Sequence, residues 1–151
     1  MTISRRAIVL LPACIAFASP MPGRADSAGP PESRRIALSG YDPVAYFEDG
    51  KPAKGSRDFW FAFDDVIYLF RSATHRAKFA ADPERYAPQY AGYCAGGISK
   101  GYKAEPDPEA WFIANGKLYV VEIKDRVPYF KSHIDEVAAK ANSNWPALKS
   151  Q

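Results

Sequence analysis

Between Phe59 and Val121 the apolar positions of the chain fall into two stretches of period two separated by a stretch of helical period. Phe59, Phe61 and Phe63 alternate with Trp60 and Ala62, Asp64-Asp65 interrupts the run, and Val66 to Phe70 continues it. This spacing predicts a hairpin with at least one buried face. Ala110 to Ile113, the Asn115-Gly116 pair and Leu118 to Val121 predict a second. Between them, Ser72 is placed to cap a helix over Ala73–Ala81, and Asp82-Pro83 restarts a short helical turn through Tyr86. Pro128 can open a last helix in which Phe130, Ile134, Val137 and Ala141 share a face, with Trp145 to Leu148 closing the chain. Ahead of all this, Pro43 forces Asp42 out of the helical region, so Tyr41 to Phe47 is expected to begin extended. The order predicts an α+β fold in one domain, a small antiparallel sheet built from hairpins with packed helices. No internal repeat is visible, and nothing resembles a parallel nucleotide-binding unit.

The first residues read as a targeting signal rather than fold. Arg5 and Arg6 precede an apolar run, Ala7 to Ala18, that is too short to span a membrane. Of two small-residue cleavage patterns, Gly23-Arg24-Ala25 is preferred, giving a signal over 1–25, a Pro/Gly/Ser-rich leader over 26–35 and a domain over 36–148. Arg5-Arg6 leaves both the general secretory and the twin-arginine routes open, and Leu11 to Cys14 is a weaker lipoprotein pattern with Cys14 as acceptor. The expected location is therefore periplasmic or secreted.

Removing the signal alters charge and cysteine content. The chain holds 20 Lys+Arg and 17 Asp+Glu, but Arg5, Arg6 and Arg24 lie before the cut, so the mature balance is 17 against 17. A neutral chain without a basic run lacks the electrostatic footprint of a nucleic-acid binder. Of 2 Cys, only Cys94 remains. An unpaired thiol in an oxidising compartment points to a reactive group, a soft-metal ligand, an intermolecular bridge giving a homodimer through Cys94, or a buried small hydrophobe. Cys94 lies in a glycine-rich stretch, Gly92 to Gly101. A short helix starting there would lower its pKa.

Several motifs resemble a known family. Gly40 to Phe47, Tyr68-Leu69-Phe70, Lys78 to Tyr86, Gln89 to Ala95 and Asp107 to Trp111 are similar, in order and spacing, to YHS domains, specifically their exported stand-alone bacterial branch. The resemblance implies a relation to TRASH-type metal-associated domains, including those of copper-exporting ATPases. Where those relatives carry three cysteines, this chain has Ala45, Arg71 and His75. Their thiolate metal site is not carried over, since Arg cannot replace a soft ligand.

Together these readings define the candidates. Cys94 is the expected ligand for a transition metal such as copper or for a small molecule, with His75, read as an exposed helical residue, as a second ligand. Tyr41, Asp42 and Tyr93 form a candidate pocket. His133 is expected to face solvent. The leading expectation is a non-enzymatic binding module of the bacterial envelope. The alternatives are a thiol-dependent enzyme or redox partner using Cys94, and a structural domain without a site. No Cys-x-x-Cys is present to resolve a thioredoxin-like cycle.

Overall fold

A computed structural model describes residues 29–151. The signal segment and Cys14 lie outside the described residues. The fold is α+β, with two separate two-stranded antiparallel sheets and helices packed around them. In chain order these are α1 (Pro43–Glu48), β1 (Ser56–Phe63), β2 (Val66–Phe70), α2 (Ala73–Ala81), α3 (Pro83–Tyr86), α4 (Ala95–Ser99), β3 (Asp107–Ala114), β4 (Lys117–Val121), α5 (Val127–Ser132) and α6 (Ile134–Lys149). Among the described residues no helix is long and apolar enough to cross a membrane.

Both hairpins form at the expected positions. Asp64-Asp65 and Asn115-Gly116 turn them with positive φ at both central residues, the backbone that matches the twist of the flanking strands. Ser72 caps α2 by accepting the His75 N–H, and Asp82 caps α3 by accepting that of Arg85, as the sequence predicts. Two expectations are corrected. The segment after Pro43 is a helix, because Asp42 alone is extended and its side chain accepts the Val44 N–H as N-cap, with Pro43 in the first turn. The last helix breaks at His133: α5 ends there, and α6 carries Ile134, Val137 and Ala141 inward and runs on past Trp145 and Pro146.

A larger correction is that the fold is an internal duplication. Each half opens with a turn over four residues, Ala37–Gly40 and Gln89–Gly92, in which three consecutive residues are left-handed. Leu38, Ser39 and Gly40 have φ of 55°, 50° and 83°, and Tyr90, Ala91 and Gly92 of 57°, 51° and 75°. An extended tyrosine follows in each, Tyr41 or Tyr93, and then the N-cap of a short helix, Asp42 or Cys94. Next comes a hairpin of an eight-residue and a five-residue strand. Each first strand has a bulge ahead of its tryptophan, Trp60 or Trp111, and the two ladders then run in step: Trp60 opposite Leu69 and Phe61 opposite Tyr68, Trp111 opposite Val120 and Phe112 opposite Tyr119. Gly-Tyr, Trp-Phe and the facing tyrosine are among the identities that survive between the halves.

Two core clusters form, the first drawing Leu118 and Val120 of β4 across to the first hairpin. Tyr46, Tyr68, Phe70 and Phe79 are buried in the first cluster; Cys94, Ile98, Phe112 and Val121 lie in the second. Tyr93 and Trp145 pack against both and form the seam. Tyr46 crosses it, its ring edge-on to Trp111 at 5.1 Å and its hydroxyl donating to the Pro108 carbonyl at 2.8 Å.

Candidate functional site

The duplication places Asp42 and Cys94 in matching sockets with different contents. In the first half, Asp42 is fully buried. Its Oδ1 accepts the Val44 N–H at 2.9 Å, and its Oδ2 accepts the Arg71 N–H at 3.0 Å and lies 2.7 Å from His75 Nδ1. That socket is closed. His75, expected to be exposed, is 6 % exposed because α2 turns it inward onto this carboxyl.

In the second half Cys94 caps α4. Its N–H donates to the Ala104 carbonyl at 2.9 Å, and its carbonyl accepts the Ile98 N–H at 3.0 Å. Unlike Asp42, Cys94 makes no side-chain cap hydrogen bond to the helix it starts. Gly96 and Glu122 occupy the places that Val44 and Arg71 hold around Asp42. Cys94 Sγ lies 3.8 Å from Glu122 Oε2 and opens onto a cavity of about 90 Å³ lined also by Lys100, Tyr102, Arg126 and Phe130. Arg126 stands at the position corresponding to His75, but it points at the rings of Tyr129 and Phe130, 5.0 and 5.9 Å from their centres. The counterpart of the closed Asp–His contact is therefore an open space beside a thiol.

Gly96 is needed for this arrangement. A Cβ there would fall 2.5 Å from Phe130 Cζ, so only glycine lets the Phe130 ring close over the helix start. Tyr102 and Ile123 stand at the cavity rim and Tyr129 next to it, and these are the large hydrophobic side chains that remain exposed in the described residues.

Burial pushes the Cys94 thiol above its ordinary pKa. The nearby backbone N–H groups of Gly97, Glu122 and Gly96 pull it down, and the Glu122 carboxylate adds to the rise. The helix start that the sequence predicts is present, yet desolvation outweighs it. Alkylation of Cys94 by iodoacetamide is therefore expected to be slow at neutral pH, with its midpoint above that of a free thiol; a midpoint below neutral would show the opposite balance.

The other sequence-predicted residues lie elsewhere. His75 and Asp42 meet each other but not Cys94, and neither lines its cavity. Tyr41 packs against the first core. Tyr93 does not line the Cys94 cavity; its ring lies under the Arg35 guanidinium at 3.8 Å, which itself pairs with Glu105 and donates to the Ala91 carbonyl. His133 is exposed and stacks on Tyr129 at 4.4 Å, as its surface expectation requires. Glu122, Lys100, Arg126 and Phe130 are the site residues that sequence reasoning misses, and the one signal able to find them is the hidden repeat. Among the described residues no three His, Cys, Asp or Glu side chains converge as a metal cluster. No family model, curated protein or solved structure matches this chain.

Proposed function

We propose that the chain is an exported YHS-like binding module of the bacterial envelope, holding a soft metal ion such as Cu(I), or a small thiophilic ligand, at Cys94. The observation that carries this reading is the thiol opening onto a cavity where the matching socket of the first half is filled by an Asp–His contact. A d10 ion needs few ligands and accepts one thiolate with a donor from a partner or small molecule completing the shell. Binding would deprotonate the thiol, and the N–H groups around the sulfur would then support the negative charge. The exposed rim of Tyr102 and Ile123 gives an incoming carrier an apolar contact. His75 is not part of this site, since its ring is committed to Asp42.

Raised thiol pKa argues against the alternative of an activated nucleophile. A homodimer bridged through Cys94 would require the side chain, 1 % exposed, to leave its cavity.

The test is a Cu(I) titration of the signal-free protein against a chromophoric chelator. One equivalent is expected to bind, and Cys94→Ser to weaken binding at least tenfold. Equal, weak binding by both proteins would sink the proposal.

A further inference from the structure

Beside the Cys94 cavity lies a wider groove of about 310 Å³, and the two share Lys100, Arg126 and Phe130 as a common wall. Three cations, Lys100, Arg126 and Lys140, line the groove against one carboxylate, Glu136. Lys140 and Glu136 answer each other at 2.8 Å across one turn of α6. Two positive charges are left over. The excess is local, because the chain beyond Ala25 balances 17 Lys+Arg against 17 Asp+Glu.

Lys100 and Arg126 are both exposed, and neither side chain has an ion pair or hydrogen bond with a described residue. Arg126 is held over the rings of Tyr129 and Phe130, at 5.0 and 5.9 Å from their centres. A guanidinium held by its face keeps the N–H groups along its edge for a planar acceptor such as a carboxylate. Lys100 follows the last turn of α4, where the carbonyls of Ile98 and Ser99 would oppose an anion. Asn144 Nδ2 donates to both, at 3.0 and 3.2 Å, and so quiets that end of the helix.

The other polar groups of the wall are occupied. The Ser99 hydroxyl donates to the Gly96 carbonyl at 2.8 Å, and His133 Nδ1 lies 2.9 Å from the Tyr129 carbonyl. Tyr129, 49 % exposed, and the half-buried Phe130 give a carbon frame an apolar wall. The volume falls at the lower end of the roughly 300–1,000 Å³ of small-molecule sites, which combine such walls with a few placed polar groups.

We infer that this groove binds a small organic dianion, two carboxylates on a short carbon frame, one meeting the Arg126 fork and the other the Lys100 ammonium. The charged ends stay out of the smaller cavity, because Glu122 sets a carboxylate there, 3.8 Å from the Cys94 sulfur. The site stands on the groove alone and is independent of what Cys94 binds.

The test titrates the signal-free protein at low ionic strength with succinate, its neutral dimethyl ester and inorganic phosphate, following the backbone amide signals of Ser99, Tyr129 and Phe130 by NMR. Succinate is expected to give saturable shifts, the ester none, and phosphate weaker binding than succinate. Arg126→Gln should weaken succinate about tenfold and Lys100→Gln severalfold, each losing one charge-assisted contact. Both positions are exposed, so the spectra of both variants should otherwise match the parent. Lys131→Gln, at an exposed cation of α5 that does not line the groove, should leave succinate affinity unchanged. No saturable shift with succinate, equal binding of the ester, tighter binding of phosphate, or the same loss in Lys131→Gln as in Arg126→Gln overturns the inference.

Discussion

Replacing Asp42 by alanine is expected to remove about 3–5 kcal/mol of unfolding free energy, measured by urea denaturation followed by tryptophan fluorescence. Three groups lose their acceptor at once: the Val44 N–H at the start of α1, the Arg71 N–H at the end of β2, and the His75 ring. The cap alone accounts for about 1 kcal/mol. The larger share comes from the Arg71 N–H and His75 being left buried or half-buried with nothing in reach. Asp42→Asn keeps an acceptor for Val44 and should cost less than half as much. In a double-mutant cycle with His75→Ala the two losses should be strongly non-additive. A loss below about 1 kcal/mol for Asp42→Ala would show that water enters the socket and replaces the carboxyl.

Phe79→Ala should be comparably severe, at about 3–5 kcal/mol. This ring is fully buried on α2 and touches four others: Tyr68 at 4.9 Å, Phe70 at 5.1 Å, Phe61 at 5.9 Å and Phe63 at 6.0 Å. It is the element by which α2 grips both strands of the first hairpin. A two-stranded hairpin is marginal without such cover. Either loss is a large share of the roughly 5–15 kcal/mol that holds a domain of this kind together. Phe79→Leu keeps most of the volume and should cost no more than about 1.5 kcal/mol. If alanine were no worse than leucine, the ring contacts would contribute little beyond filling space.

Much of the fold is legible in the sequence because its signals are local. Period-two aromatics, Asp-Asp and Asn-Gly turns, and the Ser72 and Asp82 caps each act over a few residues, and each forms where it is expected. The helix at Pro43 is misread because Asp-Pro carries two meanings: an extended residue before proline, and an N-cap with proline in the first turn. Burial of Val44, Ala45 and Tyr46 selects the second. The duplication stays hidden because most paired positions differ in chemistry, and what is preserved is backbone: runs of left-handed residues, bulges and ladder register. Such features are carried by Leu38, Ser39, Tyr90 and Ala91, residues that do not announce positive φ. The site is only half legible for the same reason. Cys94 stands out as a lone thiol, but Glu122 reaches it and Arg126 lines its cavity through a tertiary relation invisible to spacing along the chain, and His75 is drawn away by Asp42.

Two matching sockets in one chain allow a division of labour. The first, filled by its own aspartate and histidine, is tied to helix, strand and core, so substitutions there are felt as loss of fold. The second repeats the same backbone cradle but sets a thiol beside an open space where the first sets a carboxyl against a histidine. One cradle thus closes on a structural contact while its copy borders an open space, so the same backbone plan answers substitution differently in its two places.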